Sequence, residues 1–199
     1  MNLTHEKLQN ALVSLMKVSP SDRILDIGCG KGSVCRALAP FASEGVIVGL
    51  DCSNDAIRTA RSLSINHDNI LYVWGEAEQV PWQDNYFSHS LFVDTIYELA
   101  VPEKVLPEIR RVLSPGGILW IVLTSNQSLP PVPASGRTRT NPAEWVEFLS
   151  EHGFTGLQYG VLTIISGTEE IEMVPWEIAG EGLSAFVEGM LISARKPAE

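Results

Sequence analysis

Basic residues are scarce in this chain: 14 lysines and arginines stand against 24 aspartates and glutamates in 199 residues, a formal charge of −10. That sign is wrong for neutralising a phosphate backbone, so nucleic acid is disfavoured as a partner. Cysteine is nearly absent. Cys29, Cys35 and Cys52 are odd in number and cannot complete a disulfide framework, which fits a reducing cytoplasm. Cys29 and Cys35 are spaced too widely for a CxxC pair, and no histidine cluster accompanies them, so no metal site is expected. His5, His67 and His152 are isolated and read as surface or local capping residues. Long apolar runs are missing too. Nothing approaches the roughly 18 apolar residues that a membrane span needs. Residues 1–17 mix His5, Glu6 and Lys7 with Leu8, Leu12, Val13, Leu15 and Met16 at helical spacing, an amphipathic helix and not a signal peptide.

What is present is 45% apolar residues, enough for one sizeable core, and the expectation is a single domain over 1–199. From residue 20 onward, short apolar runs alternate with helix-like segments. That is the pattern of a parallel sheet covered by helices on both faces. Strands are expected at 23–27, 46–50, 70–74, 87–93 and 117–123, the last entered through Ser114-Pro115-Gly116-Gly117. Helices are expected at 33–39, from Ser53 or Asn54 to about 63, at 102–113, and from 141 or 142 through 149. Residues 124–141 carry three prolines and two arginines without apolar periodicity and read as a long loop near the site. Two β-rich runs near 156–165 and 185–194 suit an antiparallel hairpin at the sheet edge. The expected fold is therefore α/β, a Rossmann-like, doubly wound, mostly parallel sheet of seven strands with an antiparallel C-terminal hairpin.

A glycine-rich turn between a strand and a helix admits a ligand close to the backbone and offers free amide protons at the helix start. Asp51 stands 19 residues beyond Gly32 at the end of the next strand, where its carboxylate can accept both hydroxyl protons of a ribose. Turn and acid together indicate an adenosine-type nucleotide. The dinucleotide fingerprint GxGxxG would need glycine at position 33, which is Ser33. The third glycine comes at Gly32 and makes the pattern GxGxG, against a nicotinamide cofactor.

With Ile24-Leu25-Asp26-Ile27-Gly28-Cys29-Gly30-Lys31-Gly32 followed by Val48-Gly49-Leu50-Asp51-Cys52-Ser53, the chain resembles the class I S-adenosylmethionine-dependent methyltransferases, and among them the methyltransferase type 11 family. Gly75-Glu76-Ala77-Glu78-Gln79-Val80-Pro81-Trp82 is similar to that family's third motif. Glu108-Ile109-Arg110-Arg111-Val112-Leu113-Ser114-Pro115-Gly116-Gly117-Ile118-Leu119 is similar to its later helix, turn and strand. The resemblance covers roughly residues 22–123. It implies S-adenosylmethionine as cofactor, S-adenosylhomocysteine as product, and a small or medium-sized methyl acceptor. It assigns Asp26, Gly28, Cys29, Gly30 and Gly32 to the methionine portion, Asp51 to the ribose, Cys52 to the adenine face, Glu76 with the Ala77 amide to the adenine amino edge, and Phe92 with Val93 to the sulfonium.

Two departures stand out. Phe87 is followed by Ser88, His89 and Ser90, a polar stretch for a buried strand, so His89 either faces solvent or has a polar partner inside. The segment Asp94-Thr95-Ile96-Tyr97-Glu98 lacks the histidines frequent there in the family. A general base is needed only if the acceptor must lose a proton. Asp94, Tyr97 and Glu98 are the candidates for that work or for acceptor binding, Asp94 first. The expected state is a monomer or homodimer without membrane association. The alternative is a cofactor-binding module or regulatory subunit lacking transferase activity.

Overall fold

The computed structural model describes residues 5–96, 102–124, 142–164, 171–175 and 189–198. In chain order the elements are α1 (His5–Met16), β1 (Arg23–Ile27), α2 (Ser33–Leu38), β2 (Val46–Asp51), α3 (Asn54–Leu63), β3 (Ile70–Trp74), β4 (Phe87–Val93), α4 (Pro102–Val112), β5 (Leu113–Thr124), α5 (Pro142–Glu151), β6 (Thr155–Ile164), β7 (Ile171–Pro175) and β8 (Gly189–Arg195). They form one sheet in the order β3-β2-β1-β4-β5-β8-β6-β7, parallel from β3 to β5 and antiparallel beyond it. The expected fold is this one: the seven strands predicted from apolar runs are β1 to β6 and β8. The structure adds β7 at the edge, a short run whose Glu172 and Pro175 hide it from an apolar pattern. The expected terminal hairpin is rearranged, because β8 inserts between β5 and β6 and the edge hairpin is β6–β7. The predicted loop 124–141 lies, past Thr124, outside the described residues.

Alternation along the strands divides the core into two layers. Leu25, Ile27, Val48, Leu50, Ile121 and Leu123 face α4 and α5, which contribute Val105, Leu106, Ile109, Trp145 and Phe148. Ile24, Ile47, Ile70, Leu91 and Val122 face the other way, toward Leu12 of α1, Val34, Cys35 and Leu38 of α2, and Ile57 and Ala60 of α3. Ser53 starts α3 by accepting a hydrogen bond from the Ala56 amide at 3.3 Å, a standard satisfaction of an orphan donor.

The polar stretch in β4 is explained by a register shift between Phe87 and His89. Ser88 Oγ accepts from the Arg23 amide at 3.0 Å and donates to the Arg23 carbonyl at 3.1 Å. His89 has its partner inside: Nδ1 accepts from Trp120 Nε1 at 3.0 Å, and Nε2 lies 3.4 Å from Asp22 Oδ2. Burial holds this imidazole below its ordinary pKa of 6.5, against the opposing pull of Asp22. Protonating Nδ1 would also cost the Trp120 bond. Below pH 6.5 the unfolded chain takes up a proton that the folded chain resists, so this residue makes the protein less stable as pH falls from 6.5 toward the folded pKa. Urea midpoints measured between pH 7 and 5 should fall less steeply in His89→Asn than in the parent. Identical slopes would remove His89 from the acid response.

Candidate functional site

The order β3-β2-β1-β4 reverses direction of winding between β1 and β4, and open α/β sheets bind ligands outside the strands' carboxyl ends at such a point. A cleft of about 230 Å³ opens there. The ends of four strands line it: Ile27 and Gly28 after β1, Leu50, Asp51 and Cys52 at β2, Gly75 to Glu78 after β3, and Thr95 after β4. Asp51, Glu76 and Glu78 make its rim acidic, which suits a cationic ligand.

The glycine turn is built around its neighbours. Gly28 and Cys29 donate backbone bonds to the Leu50 carbonyl at 2.8 and 3.0 Å, fastening the turn to the end of β2. Gly28 has φ of 69°, and a Cβ there would overlap the Thr95 side chain. Gly32 has φ of 74°, and a Cβ there would run into the Tyr72 ring and hydroxyl. Tyr72 is itself fixed by Ser64, whose Oγ lies 2.9 Å from its hydroxyl, and burial pushes its pKa up to about 12. Gly30 differs: a Cβ at that position would meet nothing within 4 Å, so its open side is available to a ligand.

Asp51 is held by the backbone. Oδ2 accepts from the Gly30 amide and Oδ1 from the Ser53 amide, both at 2.8 Å. A carboxylate offers about four acceptor positions, so two remain for other donors. Asp26 lies beneath the turn, 2% exposed, and accepts from the Cys35 thiol at 3.1 Å. Burial is the main cause that lifts its pKa to about 7. The Cys35 bond opposes the rise and the charge of Asp51 adds to it. Cys35 is raised as well, first by burial, then by Cys29 and Asp26. Cys29 is buried, with its sulfur 3.8 Å from the Gly30 carbonyl, and Cys52 is exposed on the cleft wall.

Of the residues expected at the site, Gly28, Asp51, Cys52, Glu76 and Ala77 line the cleft. Asp26, Cys29, Gly30 and Gly32 form the turn and the layer beneath it. Phe92 is fully buried in the layer facing α4 and α5, packed with Ile27 and Leu50 of the cleft floor, and is not itself part of the lining. The chain reaches the cleft three residues later, at Thr95. Asp94 is half-buried, outside the lining, and adopts a left-handed conformation with φ of 55° while its amide donates to the Val122 carbonyl at 2.9 Å. Tyr97 and Glu98 lie outside the described residues.

Sequence reasoning passed over Thr95, Glu78 and Tyr72. The first two sit inside segments already singled out as motifs. Tyr72 carried no signal, since a tyrosine in an apolar strand reads as core. Trp82 packs against Tyr86 and Phe87, with ring centroids 5.7 and 5.5 Å away, and takes no part in the lining. Among the described residues no His, Cys, Asp or Glu group has the geometry of a metal site, and no helix is long and apolar enough to cross a membrane.

Residues 25–121 match the family described as methyltransferase domain. The chain is 29% identical over 127 residues to the demethylmenaquinone methyltransferase of Staphylococcus epidermidis, a match that covers 63% of this chain and 53% of that protein. This chain thus spans about half the length of the curated relatives it matches. A putative methyltransferase from Bacillus halodurans superposes with a TM-score of 0.68 at 24% identity, covering 95% of this chain and 98% of that one. An S-adenosylmethionine-dependent methyltransferase from Aquifex aeolicus superposes at 0.69 with 17% identity, covering 97% and 94%. These two likenesses show the fold. With the sheet order, the cleft and the match over 25–121 in hand, residues 25–121 are similar to the methyltransferase domain family, and the chain has the fold of the S-adenosylmethionine-dependent methyltransferases it superposes on.

Proposed function

We propose that this protein methylates a small or medium-sized acceptor with S-adenosylmethionine as donor. The observation that carries the reading is Asp51: an acid at the end of β2, held by two amides with acceptor capacity to spare, beside an open glycine turn. The residues fit the cofactor that the family implies. Asp26 with Gly28, Cys29, Gly30 and Gly32 would hold the methionine portion, and Asp51 the two ribose hydroxyls. Cys52 would lie against the adenine face, with Glu76 and the Ala77 amide at its polar edge. When bound, the cofactor supplies an electrophilic methyl group on a sulfonium that is already a good leaving group.

What remains for the chain is to bind, align and exclude water, and in-line positioning by itself supplies much of the rate. Asp94, with Tyr97 and Glu98, stands as the candidate group to take a proton from an acceptor that must lose one. The named relatives are demethylmenaquinone methyltransferases, so demethylmenaquinone is the first acceptor to assay.

Calorimetric titration with S-adenosylmethionine, S-adenosylhomocysteine and NAD tests the cofactor, and transfer of a labelled methyl group tests the enzyme. The expected result is binding of both sulfur ligands and not of NAD. Binding of NAD alone would sink the reading. Sulfur-ligand binding with no transfer to any acceptor would leave a binding module instead.

A further inference from the structure

The segment that closes one side of the cleft, residues 75–86 between β3 and β4, contains no helix or strand of its own. Something else must hold Glu76, Ala77 and Glu78 in position. Five bonds from Arg111, near the end of α4, reach this segment and its neighbour Glu108. Nε donates to Glu108 Oε1 at 2.9 Å, and Nη2 donates to Glu108 Oε2 at 2.8 Å and to the Val80 carbonyl at 2.9 Å. Nη1 donates to the Trp82 carbonyl at 2.8 Å and to Asp84 Oδ1 at 2.7 Å. A guanidinium has five N–H donors in a fixed fork, and here each has an acceptor. Glu108 completes the arrangement by accepting from the Val80 amide at 3.1 Å, and its contacts with Arg111 hold its carboxyl below the ordinary value. Backbone bonds from Asn85 to the Arg111 carbonyl and from Tyr86 to the Val112 carbonyl finish the seam at 2.9 and 2.8 Å. The charged pair alone contributes little on a partly exposed surface. Its geometric effect is larger, because two loop carbonyls and one loop amide are tied to a rigid helix.

We propose that Arg111, oriented by Glu108, is a positioning residue for the cofactor cleft: by fixing the backbone at Val80 and Trp82 and holding the Asp84 carboxylate, it sets where Glu76 and Ala77 meet the adenosine portion of the ligand. It touches no ligand itself. Lysine cannot replace it, since an ammonium has three donors and no planar fork. The proposal rests on the reading of Glu76 and Ala77 as adenosine contacts.

The test uses the full chain and two readouts: calorimetric affinity for S-adenosylhomocysteine, and amide hydrogen exchange in the ligand-free protein. Arg111→Lys should weaken affinity by about tenfold, as a displacement of well under an ångström can do. It should speed exchange in residues 75–84 while β1 and β2 stay protected. Glu76→Gln should weaken affinity as well, and the double variant should lose less than the product of the two, since both act on one contact. Asp84→Ala removes one acceptor at an exposed position and should show a smaller loss of the same kind, which keeps the test open if changes at Arg111 prevent folding. Affinity in Arg111→Lys within about twofold of the parent, losses that multiply, or exchange that rises equally across the sheet would each overturn the proposal. Unchanged affinity in Glu76→Gln overturns the assignment of that residue instead, and the Arg111→Lys loss with localised exchange then still supports the positioning role.

Discussion

Asp51→Asn is expected to weaken S-adenosylmethionine binding by about a hundredfold while the chain stays folded, the larger of two effects at the heart of the cleft. Both carboxylate oxygens already accept a backbone amide, from Gly30 and from Ser53, at 2.8 Å. A carboxamide has one oxygen and one NH2, so in either orientation one of those amides faces another donor. One of the two amides is that of Gly30, the most open position in the glycine turn. The two ribose hydroxyls meet the same deficit, because an acceptor pair becomes a donor and an acceptor. Hydrogen bonds to charged groups contribute about 1.5–3 kcal/mol each, and partial exposure of the site discounts the sum toward the value of a single strong bond. Titration calorimetry on the variant, with circular dichroism as the folding control, reads the outcome directly. A loss smaller than about threefold would mean that Asp51 serves only to order the turn.

Asp26 supplies the second large effect, on stability. Its pKa of about 7 lies well above the ordinary value of 3.8 because the carboxyl is buried, with the Cys35 thiol donating to it and Asp51 adding repulsion. The folded chain therefore keeps a proton that the unfolded chain releases between about pH 4 and pH 7. Stability must fall as pH rises through that window, and the full cost persists above it. A shift of this size corresponds to about 4 kcal/mol at 1.36 kcal/mol per pKa unit. Asp26→Asn keeps the shape without the charge. It should be more stable than the parent above pH 8, by several kcal/mol, and should lose the slope between pH 4 and 7.

The same carboxyl makes ligand binding pH-dependent under the proposed role. An ammonium group beside Asp26 favours the ionised form, so affinity for S-adenosylmethionine should rise through pH 7, with up to one proton released on binding. Calorimetry in buffers of different ionisation heat counts that proton. Asp26→Asn should bind more weakly and release none. Parallel stability profiles for parent and variant would show that Asp26 does not carry the charge cost. His89, on β4, acts in the opposite sense below pH 6.5, so the two single variants separate the contributions.

Much of the fold was legible because its signals are local. Apolar runs at Arg23–Ile27 and Ile70–Trp74, and Ser53 before α3, each report a strand or a cap through chemistry within a few residues, whereas β5 already begins at Leu113 and takes in the expected turn at Ser114–Gly117. The glycine turn and Asp51 were legible for the same reason, as the ends of consecutive parallel strands lie at one edge of the sheet whatever the rest does. Which side of the sheet Phe92 takes was not legible, since it depends on a register shift near Phe87 that no sequence pattern marks. The strand β7 escaped notice because five residues, interrupted by Glu172 and ended by Pro175, are too few to show a period.

By itself, then, the sequence determined the alternation of strands and helices, the GxGxG turn with its acid 19 residues on, and the kinship these imply. Only the tertiary structure decided that β8 lies between β5 and β6, that Tyr72 rests where any Cβ at Gly32 would go, that Asp26 is buried deeply enough to hold a proton near neutral pH, and that Arg111 fastens the cleft wall. The division has a physical cause. Backbone preferences and hydrophobic periodicity act over a few residues, whereas desolvation, steric exclusion and a guanidinium's choice of acceptors depend on atoms brought together from tens of residues apart.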